Sequence, residues 1–378
     1  MNYGKIYSAY TEINLDNLVA NYKIAQKKAK GAHVLAVIKA DAYNHGAVVA
    51  AKKLFSHGAC HFAVANIDEG IELRENGIDG MILVLGPALP ERYADAAKYD
   101  ISLAVCSYEE LVFADKFTKD KNCALKIHLA LNTGMNRVGL CAESDEISNV
   151  CENCANIIKQ NRNIITEGIF SHFCDIENTD TAFSEKQYDS FVKTVKLFEE
   201  NGVNFKIRHI SNSGATMNHP EFRCDLVRFG IALYGCEFSD GGVLPVLSFK
   251  THIAQITSVK KGETVGYGRT YTAEKDMKIA TITAGYADGV NRLLSNKGSV
   301  LVRGKRAPIV GRVCMDMTMI DITDIPDASV FDDVTIIGRD GNESITAEEH
   351  ASICGTISYE ILCSIGKRVK RTYIGENE

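Results

Sequence analysis

Val34-Leu-Ala-Val-Ile-Lys-Ala-Asp-Ala-Tyr-Asn-His-Gly46 is an apolar run of strand length that ends in a lysine and continues into a loop. Seven further apolar runs follow it, separated by amphipathic helical patterns such as Asp68–Glu75 and Glu185–Asn201. The eight runs are Val34–Ile38, Phe62–Ala65, Met81–Leu85, Ile101–Cys106, Ala124–Leu131, Ile165–Phe170, Phe205–Ile210 and Leu226–Phe229. Eight alternations of strand and helix predict a (β/α)8 TIM barrel rather than a doubly wound sheet. No Gly-x-Gly-x-x-Gly follows the first run, which also disfavours a dinucleotide-binding fold.

The pattern changes after about Gly241. Short alternating runs such as Thr251–Val259 and Val334–Ile337 are separated there by Gly, Asp and Asn turns, which predicts a mostly β C-terminal domain. We therefore expect a barrel domain over residues 14–240 and a β domain over residues 241–378.

The N-terminus shows the same alternation at Tyr7–Ile13, followed by a helical pattern over Leu15–Lys28. Asn14 is a suitable N-cap for this helix, because its side chain can accept from the first free amides. We expect the N-terminal strand, residues 1–13, to join the C-terminal β domain.

The composition excludes several classes of protein. The chain has 378 residues, 46% of them hydrophobic, and a net charge of −6 with the charges interspersed, which argues against a nucleic-acid partner. No apolar run has the length of a membrane span or of a signal-peptide core. The 12 cysteines are scattered, and Cys151 and Cys154 have neither a second pair nor a nearby histidine. We therefore expect a cytoplasmic protein that has no metal site and binds no membrane.

Polar side chains cluster where the predicted barrel strands end, and such barrels carry their active sites at that rim. They are Lys39, Arg137, His172, His209, Ser213 and Arg228. A single strand-end lysine more often reaches solvent, and a single histidine is more often a hydrogen-bonded core residue. Arg228 is harder to explain in this way, since an unpaired buried guanidinium is costly. The whole set therefore indicates a site.

A phosphate site is indicated after the seventh and eighth strands, which is its common position in TIM barrels. Ser211-Asn-Ser-Gly-Ala-Thr216 offers hydroxyls and backbone amides, and Gly230-Ile231 allows close approach of the backbone. A phosphate there and the Lys39 amine on the first strand suggest a phosphorylated carbonyl cofactor bound as a Schiff base. Pyridoxal 5'-phosphate fits that description.

From about Tyr7 to Tyr373 the chain resembles the alanine racemases, barrel-type (fold type III) pyridoxal-phosphate enzymes. The motifs that carry the resemblance are Ala36-Val-Ile-Lys-Ala-Asp-Ala-Tyr43, Thr133-Gly-Met-Asn-Arg137, Val265-Gly-Tyr-Gly268, Gly285-Tyr-Ala-Asp-Gly289, Gly311-Arg-Val-Cys-Met-Asp316 and Ser358-Tyr-Glu360. The resemblance implies an isomerase that interconverts L-alanine and D-alanine and supplies D-alanine for cell-wall peptidoglycan. It also implies a homodimer with shared active sites.

The resemblance further implies a role for each matched residue. Lys39 forms the internal aldimine and acts as one of two bases, and Tyr267 of the partner subunit is the other. The phosphate is held by Tyr43, Ser213, Gly230, Ile231 and Tyr359. Arg228 faces the pyridine nitrogen with His209 behind it, and Arg137 binds the phenolic oxygen. His172 supports Tyr267, Tyr286 lies in the surrounding layer, and Met315 of the partner subunit lines the substrate carboxylate site with Arg137.

Three positions depart from the family pattern. Asn44 replaces a common Gly, Asn132 a usual Asp, and Ala130 a lysine that is carbamylated in many members and orients the equivalent of Arg137. We hypothesise that a bound anion such as chloride balances Arg137 instead.

Other functions stay open at this point. A serine or broad-specificity amino-acid racemase would use the same machinery, because the volume of the substrate pocket cannot be read from the sequence. An amino-acid decarboxylase of the same architecture would pair the pyridine nitrogen with an acid rather than with Arg228. A non-catalytic pyridoxal-phosphate-binding protein of the single-barrel type would lack the β domain and Tyr267.

Overall fold

The computed structural model describes residues 8–375. The strands up to the end of the barrel are β1 (Ala9–Asn14), β2 (His33–Val37), β3 (His61–Val64), β4 (Met81–Val84), β5 (Ser102–Val105), β6 (Leu125–Asn132), β7 (Leu140–Cys141), β8 (Ile164–Phe170), β9 (Ile207–His209) and β10 (Leu226–Phe229). The helical segments are α1 (Leu15–Ala29), α2 (Lys39–Asn44), α3 (Ala47–Ser56), α4 (Ile67–Glu75), α5 (Tyr93–Lys98), α6 (Tyr108–Lys121), α7 (Ile147–Gln160), α8 (Ala182–Glu200) and α9 (Ser213–Asn218).

Eight parallel strands form a nearly closed barrel in the order β10-β2-β3-β4-β5-β6-β8-β9. At the remaining seam, β9 and β10 are joined through residues at their ends by two backbone hydrogen bonds, from Asp225 N to Arg208 O at 3.0 Å and from Arg228 N to Ser211 O at 2.9 Å. Every residue of β5 is buried, as expected for a parallel strand that is covered on both faces. The predicted TIM barrel is confirmed.

Side-chain caps fix the residues at which several helices begin. The ends of the preceding strands therefore stay free to form the rim of the barrel. The Asn14 side chain accepts from the amides of Asp16 and Asn17 at the start of α1, as expected from the sequence. Asn66 and Ser107 cap α4 and α6 in the same manner.

The remaining chain is mostly strand, as predicted. Its elements are β11 (Leu247–Val259), β12 (Thr264–Val265), β13 (Tyr271–Thr272), β14 (Met277–Ile282), β15 (Ser299–Val302), β16 (Lys305–Pro308), β17 (Thr318–Asp321), β18 (Asp333–Asp340), β19 (Glu343–Ile345), α10 (Ala347–Cys354), α11 (Ser358–Cys363) and β20 (Lys370–Ile374). Neither helix was predicted, although Thr346 and Glu349 have the spacing of a capping box and Thr346 accepts from the Glu349 amide.

Strand β1 lies in the C-terminal sheet, between β11 on one side and β20 on the other. It pairs antiparallel with β11 and parallel with β20, so the chain enters the barrel from this sheet. Residues 1–7 of the predicted N-terminal strand lie outside the described residues.

Candidate active site

A cavity of about 700 Å³ opens at the C-terminal ends of the barrel strands. The predicted site residues that line it are Lys39, Tyr43, Arg137, His172, Ser213, Arg228, Gly230, Ile231 and Tyr359. His209 lies behind this wall, bonded to Arg228. Tyr267, Met315 and Tyr286 belong to the C-terminal part of the chain and do not line the cavity of their own subunit.

Lys39 follows β2 and begins a left-handed turn. Residues 40–44 all have positive φ values, between 53° and 66°, and none of them is glycine. The Ala40 amide donates to Glu69 Oε1 at 2.9 Å, and the Asn44 side-chain amide donates to three backbone carbonyls of the segment 362–365. Because left-handed backbone is unfavourable for residues with a Cβ, these contacts must hold the turn.

Electrostatics at the end of β2 favour a neutral Lys39 amine. Burial lowers the pKa of Lys39 most, and the positive charge of Arg137 lowers it further. Glu69 opposes these effects, and Arg228 adds a smaller lowering. A lowered pKa makes a lysine a better base near neutral pH.

Hydroxyl groups surround the backbone of Gly230. The Gly230 amide donates to Ser213 Oγ at 2.9 Å, which leaves the Ser213 hydroxyl proton free for a ligand. A Cβ on Gly230 would lie 3.0 Å from Tyr43 Oη, and the rings of Tyr43 and Tyr359 are 5.8 Å apart. Burial raises the pKa of both tyrosines, so each keeps a proton to donate. This space and donor set suit a phosphate group.

Arg228 is buried at the floor of the cavity. Nη1 lies 2.9 Å from His209 Nδ1, and Nη2 lies 2.9 Å from His172 Nδ1 and 2.8 Å from Ser171 O. Burial and Arg137 lower the pKa of Arg228 to about 9, so it remains cationic at neutral pH.

Both histidines beside Arg228 are neutral. Burial and Arg228 lower the pKa of His172 to about 3, and the same causes depress the pKa of His209 strongly. A guanidinium can only donate, so the Nδ1 atom of each histidine accepts and each ring carries its proton on Nε2.

Arg137 lies on the exposed side of the cavity, after β6. No carboxylate within residues 8–375 forms an ion pair with it. Ala130 is buried with the small side chains of Ala104 and Cys106 and with Phe170.

These observations can be compared with known proteins. The family model described as "Alanine racemase, N-terminal domain" matches residues 13–237, and "Alanine racemase, C-terminal domain" matches residues 246–373. The chain belongs to the alanine racemase family. The chain is therefore a pyridoxal-phosphate-dependent racemase.

Individual alanine racemases match along nearly the whole chain. The alanine racemase of Clostridium tetani is 40% identical over 97% of this chain and 95% of its own length. The solved alanine racemase of Clostridium difficile is 36% identical, with a TM-score of 0.91 over 99% of this chain and 98% of that one. A Bacillus anthracis alanine racemase with bound L-Ala-P is 35% identical, with a TM-score of 0.90 over 99% and 97%.

The three predicted site residues of the C-terminal part of the chain that do not line the cavity are exposed. Tyr267 is 73% exposed, and Met315 and Tyr286 are also exposed. The Tyr286 and Ala287 amides donate to the carbonyls of Cys314 and Met315 at 2.9 and 3.0 Å, so these two motif loops are adjacent. Tyr286 and Met315 thus expose large side chains on adjacent loops, and grouped exposed apolar side chains are typical of a protein–protein contact.

Sequence reasoning missed the residues that hold the lysine turn. Glu69 was visible only as a residue near the start of α4, where its Oε2 accepts from the Ala65 amide at 2.7 Å. The other carboxylate oxygen of Glu69 accepts from the Ala40 amide, although the two residues are far apart in the sequence. Asp41 likewise accepts from the Ala47 amide at 2.7 Å. No sequence signal identifies these two contacts, because both depend on the left-handed backbone.

The structure describes no helix within residues 8–375 with the length and hydrophobicity needed to cross a membrane.

Proposed function

We propose that this chain interconverts L-alanine and D-alanine with pyridoxal phosphate and two bases, Lys39 and Tyr267 of the partner subunit. The D-alanine product would supply cell-wall peptidoglycan. The observation that carries the proposal is the convergence of the Lys39 amine, the Arg228 guanidinium and the Ser213–Tyr43 hydroxyl pair on one cavity.

The residues of the cavity suit pyridoxal phosphate. Tyr43, Ser213, Tyr359 and the Gly230–Ile231 backbone would hold the phosphate, Lys39 the carbonyl carbon, and Arg137 the phenolic oxygen. When bound, the cofactor supplies an electron sink for the charge that develops at the substrate Cα.

Arg228 would face the pyridine nitrogen. Its two terminal nitrogens are occupied by histidines and backbone carbonyls, and Arg228 lines the cavity, so its Nε–H would be the donor available to the ring nitrogen. A guanidinium holds its protons tightly, so the ring nitrogen would stay unprotonated and the electron sink would be weaker than with an acid at this position. A weaker sink limits decarboxylation and transamination.

Racemisation requires a proton acceptor and a proton donor on opposite faces of the substrate Cα. The partly buried Lys39 amine would serve one face and the phenol of Tyr267 the other. Because His172 accepts from Arg228 at Nδ1, its Nε2–H would donate to the oxygen of Tyr267 and stabilise the phenolate. Arg137 and Met315 of the partner subunit would receive the substrate carboxylate.

The alternative is a serine or broad-specificity racemase. The same bases would serve it, and the difference would lie in the space around Tyr359. Alanine is favoured because the relatives that match nearly the whole chain are alanine racemases. The rival non-catalytic function is disfavoured because the chain has the second, mostly β part that carries Tyr267.

The test is incubation of purified enzyme with each enantiomer of alanine, serine and lysine, followed by chiral chromatography. We expect racemisation of alanine far faster than of serine or lysine. Comparable rates on all three would favour the broad-specificity alternative, and no racemisation would refute the proposal.

The cofactor lysine is tested separately. Borohydride reduction and peptide mapping should place the pyridoxyl label on Lys39, because Lys39 alone ends a barrel strand opposite the Ser213–Gly230 phosphate site. A label on another lysine would refute the assignment.

A further inference from the structure

The Arg228 guanidinium is buried, and no carboxylate of residues 8–375 forms an ion pair with it. Its side chain is 4% exposed, and the acceptors around its terminal nitrogens are backbone carbonyls and imidazole nitrogens. A buried charge that lacks a counter-charge is strongly destabilising. A counter-charge is therefore expected further along its hydrogen bonds.

Two buried histidines continue these hydrogen bonds toward the opposite end of the barrel. His209 Nε2 lies 3.0 Å from His128 Nδ1, and both rings are fully buried. Since His209 accepts from Arg228 at Nδ1, it carries its proton on Nε2 and donates it to His128 Nδ1. His128 must then carry a proton on Nε2. The donor-only character of Arg228 thus orders the protons of both rings.

The proton on His128 Nε2 faces Glu167. His128 Nε2 is buried without a hydrogen-bond partner and lies 3.8 Å from Glu167 Oε2. Ser102 Oγ donates to the same carboxylate oxygen at 2.5 Å, and Lys126 Nζ lies 4.0 Å from Oε1. Burial alone would raise the pKa of Glu167, but His128, Ser102 and Lys126 hold it below its usual value. Glu167 is therefore ionised at neutral pH.

The backbone makes room for this arrangement. A Cβ on Gly168 would lie 2.4 Å from His128 Nδ1, so only glycine fits opposite the ring. The register between β6 and β8 shifts between Ile127 and His128, which sets His128 opposite Gly168. Phe170 stacks on His209 with ring centres 5.0 Å apart. Strand register, a glycine and an aromatic ring together fix the positions of the two histidines.

We propose that Glu167, near the N-terminal ends of the barrel strands, is the counter-charge and a positioning residue for Arg228. His209 and His128 connect the two as an ordered row of N–H donors, here called the histidine relay (Arg228, His209, His128 and Glu167). No proton moves along the relay. It holds both imidazoles in one tautomer, so that Arg228 stays cationic and correctly oriented toward the cavity. The inference rests on the proposed function only for its effect on turnover.

Neutron diffraction from deuterium-exchanged crystals of the holoenzyme tests the proton order directly. We expect deuterium on Nε2 and none on Nδ1 of both His209 and His128. Deuterium on Nδ1 of either ring would overturn the relay. This readout does not depend on the substrate, so it is independent of whether alanine proves to be racemised.

Kinetics of Glu167 variants test the effect on the site. Glu167→Leu removes the carboxylate that faces the His128 N–H, and should lower kcat about 3- to 10-fold, the order of effect expected when a buried charge loses its counter-charge at this distance, with KM changed less than about twofold. Glu167→Gln keeps an acceptor oxygen and loses the charge, so its fall in kcat should be smaller.

Asp100→Asn is the matched control. Asp100 lies at the same end of the barrel and pairs with Lys126 at 2.6 Å, but takes no part in the relay. Its kcat should equal that of the wild type. A Glu167→Leu enzyme with the kcat of Asp100→Asn would overturn the proposal. Should Glu167→Leu fail to fold, an unchanged kcat in Glu167→Gln would overturn it equally.

Discussion

At the scale of single residues, the charge of Arg137 contributes to the lowered pKa of Lys39. After burial it is the largest cause of the lowered pKa of Lys39, since a nearby positive charge disfavours the ammonium form. Arg137→Gln should therefore raise the pH at which the Lys39 amine becomes reactive. Acylation of Lys39 in cofactor-free protein, followed across pH by peptide mapping, measures this shift.

An exposed arginine provides the control for that experiment. Arg339 donates to the Gly341 carbonyl in the C-terminal part of the chain, far in sequence from the site. Arg339→Gln should leave the reactivity of Lys39 unchanged. Equal pH profiles of Lys39 acylation in the two variants would mean that Arg137 does not lower the pKa of Lys39.

The charge of Arg137 is not balanced by a neighbouring side chain of residues 8–375. Ala130 brings no charge to Arg137, and no carboxylate of the described residues forms an ion pair with it. We expect a halide beside Arg137, because a guanidinium without a counter-charge attracts an anion. Anomalous diffraction from crystals grown in bromide should show a peak there. Water alone, or a protein carboxylate, at that position would contradict the expectation.

At the scale of elements, the left-handed turn after β2 depends on Asn44. Asn44→Gly removes the three side-chain hydrogen bonds but places a residue there that tolerates positive φ. Asn44→Ala removes the same hydrogen bonds and also places a residue there that tolerates positive φ poorly. Asn44→Ala should be less stable than Asn44→Gly by about 1–2 kcal/mol. Both variants should bind pyridoxal phosphate more weakly, because the turn carries Lys39 and Tyr43. Thermal unfolding and cofactor titration measure the two effects.

Asn122 is the matched control for this element. It ends α6 in the left-handed conformation and is exposed, with φ of 46°. Asn122→Ala and Asn122→Gly should reproduce the difference in stability without any change in cofactor affinity. A cofactor affinity in Asn44→Ala equal to that of Asn122→Ala would show that the turn does not position the site.

At the scale of the whole molecule, the exposure of Tyr267 predicts that each site needs two subunits. A two-fold dimer would bring the Tyr267 surface of one chain over the barrel mouth of the other. When Lys39→Ala and Tyr267→Phe chains exchange subunits, every mixed dimer has one intact site and one doubly damaged site. Random pairing then restores about a quarter of wild-type activity.

Each single variant alone should lose about 10²–10⁴-fold in turnover, which sets the background of the mixing experiment. Subunit exchange is verified independently by native mass spectrometry, with the two kinds of chain carrying tags of different mass. If exchange occurs and activity stays at background, Lys39 and Tyr267 act within one chain.

The sequence by itself determined the barrel and most of the rim. Apolar runs and helix caps are local signals, and the ends of parallel strands meet at one edge, so the order of residues along the chain suffices to place Lys39, Ser213 and Arg228 there. The roles of Tyr267 and Met315 came only from the family resemblance, and they stay predictions.

Only the tertiary structure decided the left-handed turn and the histidine relay. Five consecutive residues with a Cβ at positive φ have no sequence signal, because contacts from Glu69 and from the segment 362–365 impose that conformation. Glu167 reads in the sequence as an ordinary polar residue near the start of a strand. It meets Arg228 through His128 and His209 because strands distant in sequence are neighbours in the closed barrel, and side chains that fill its interior interact across it.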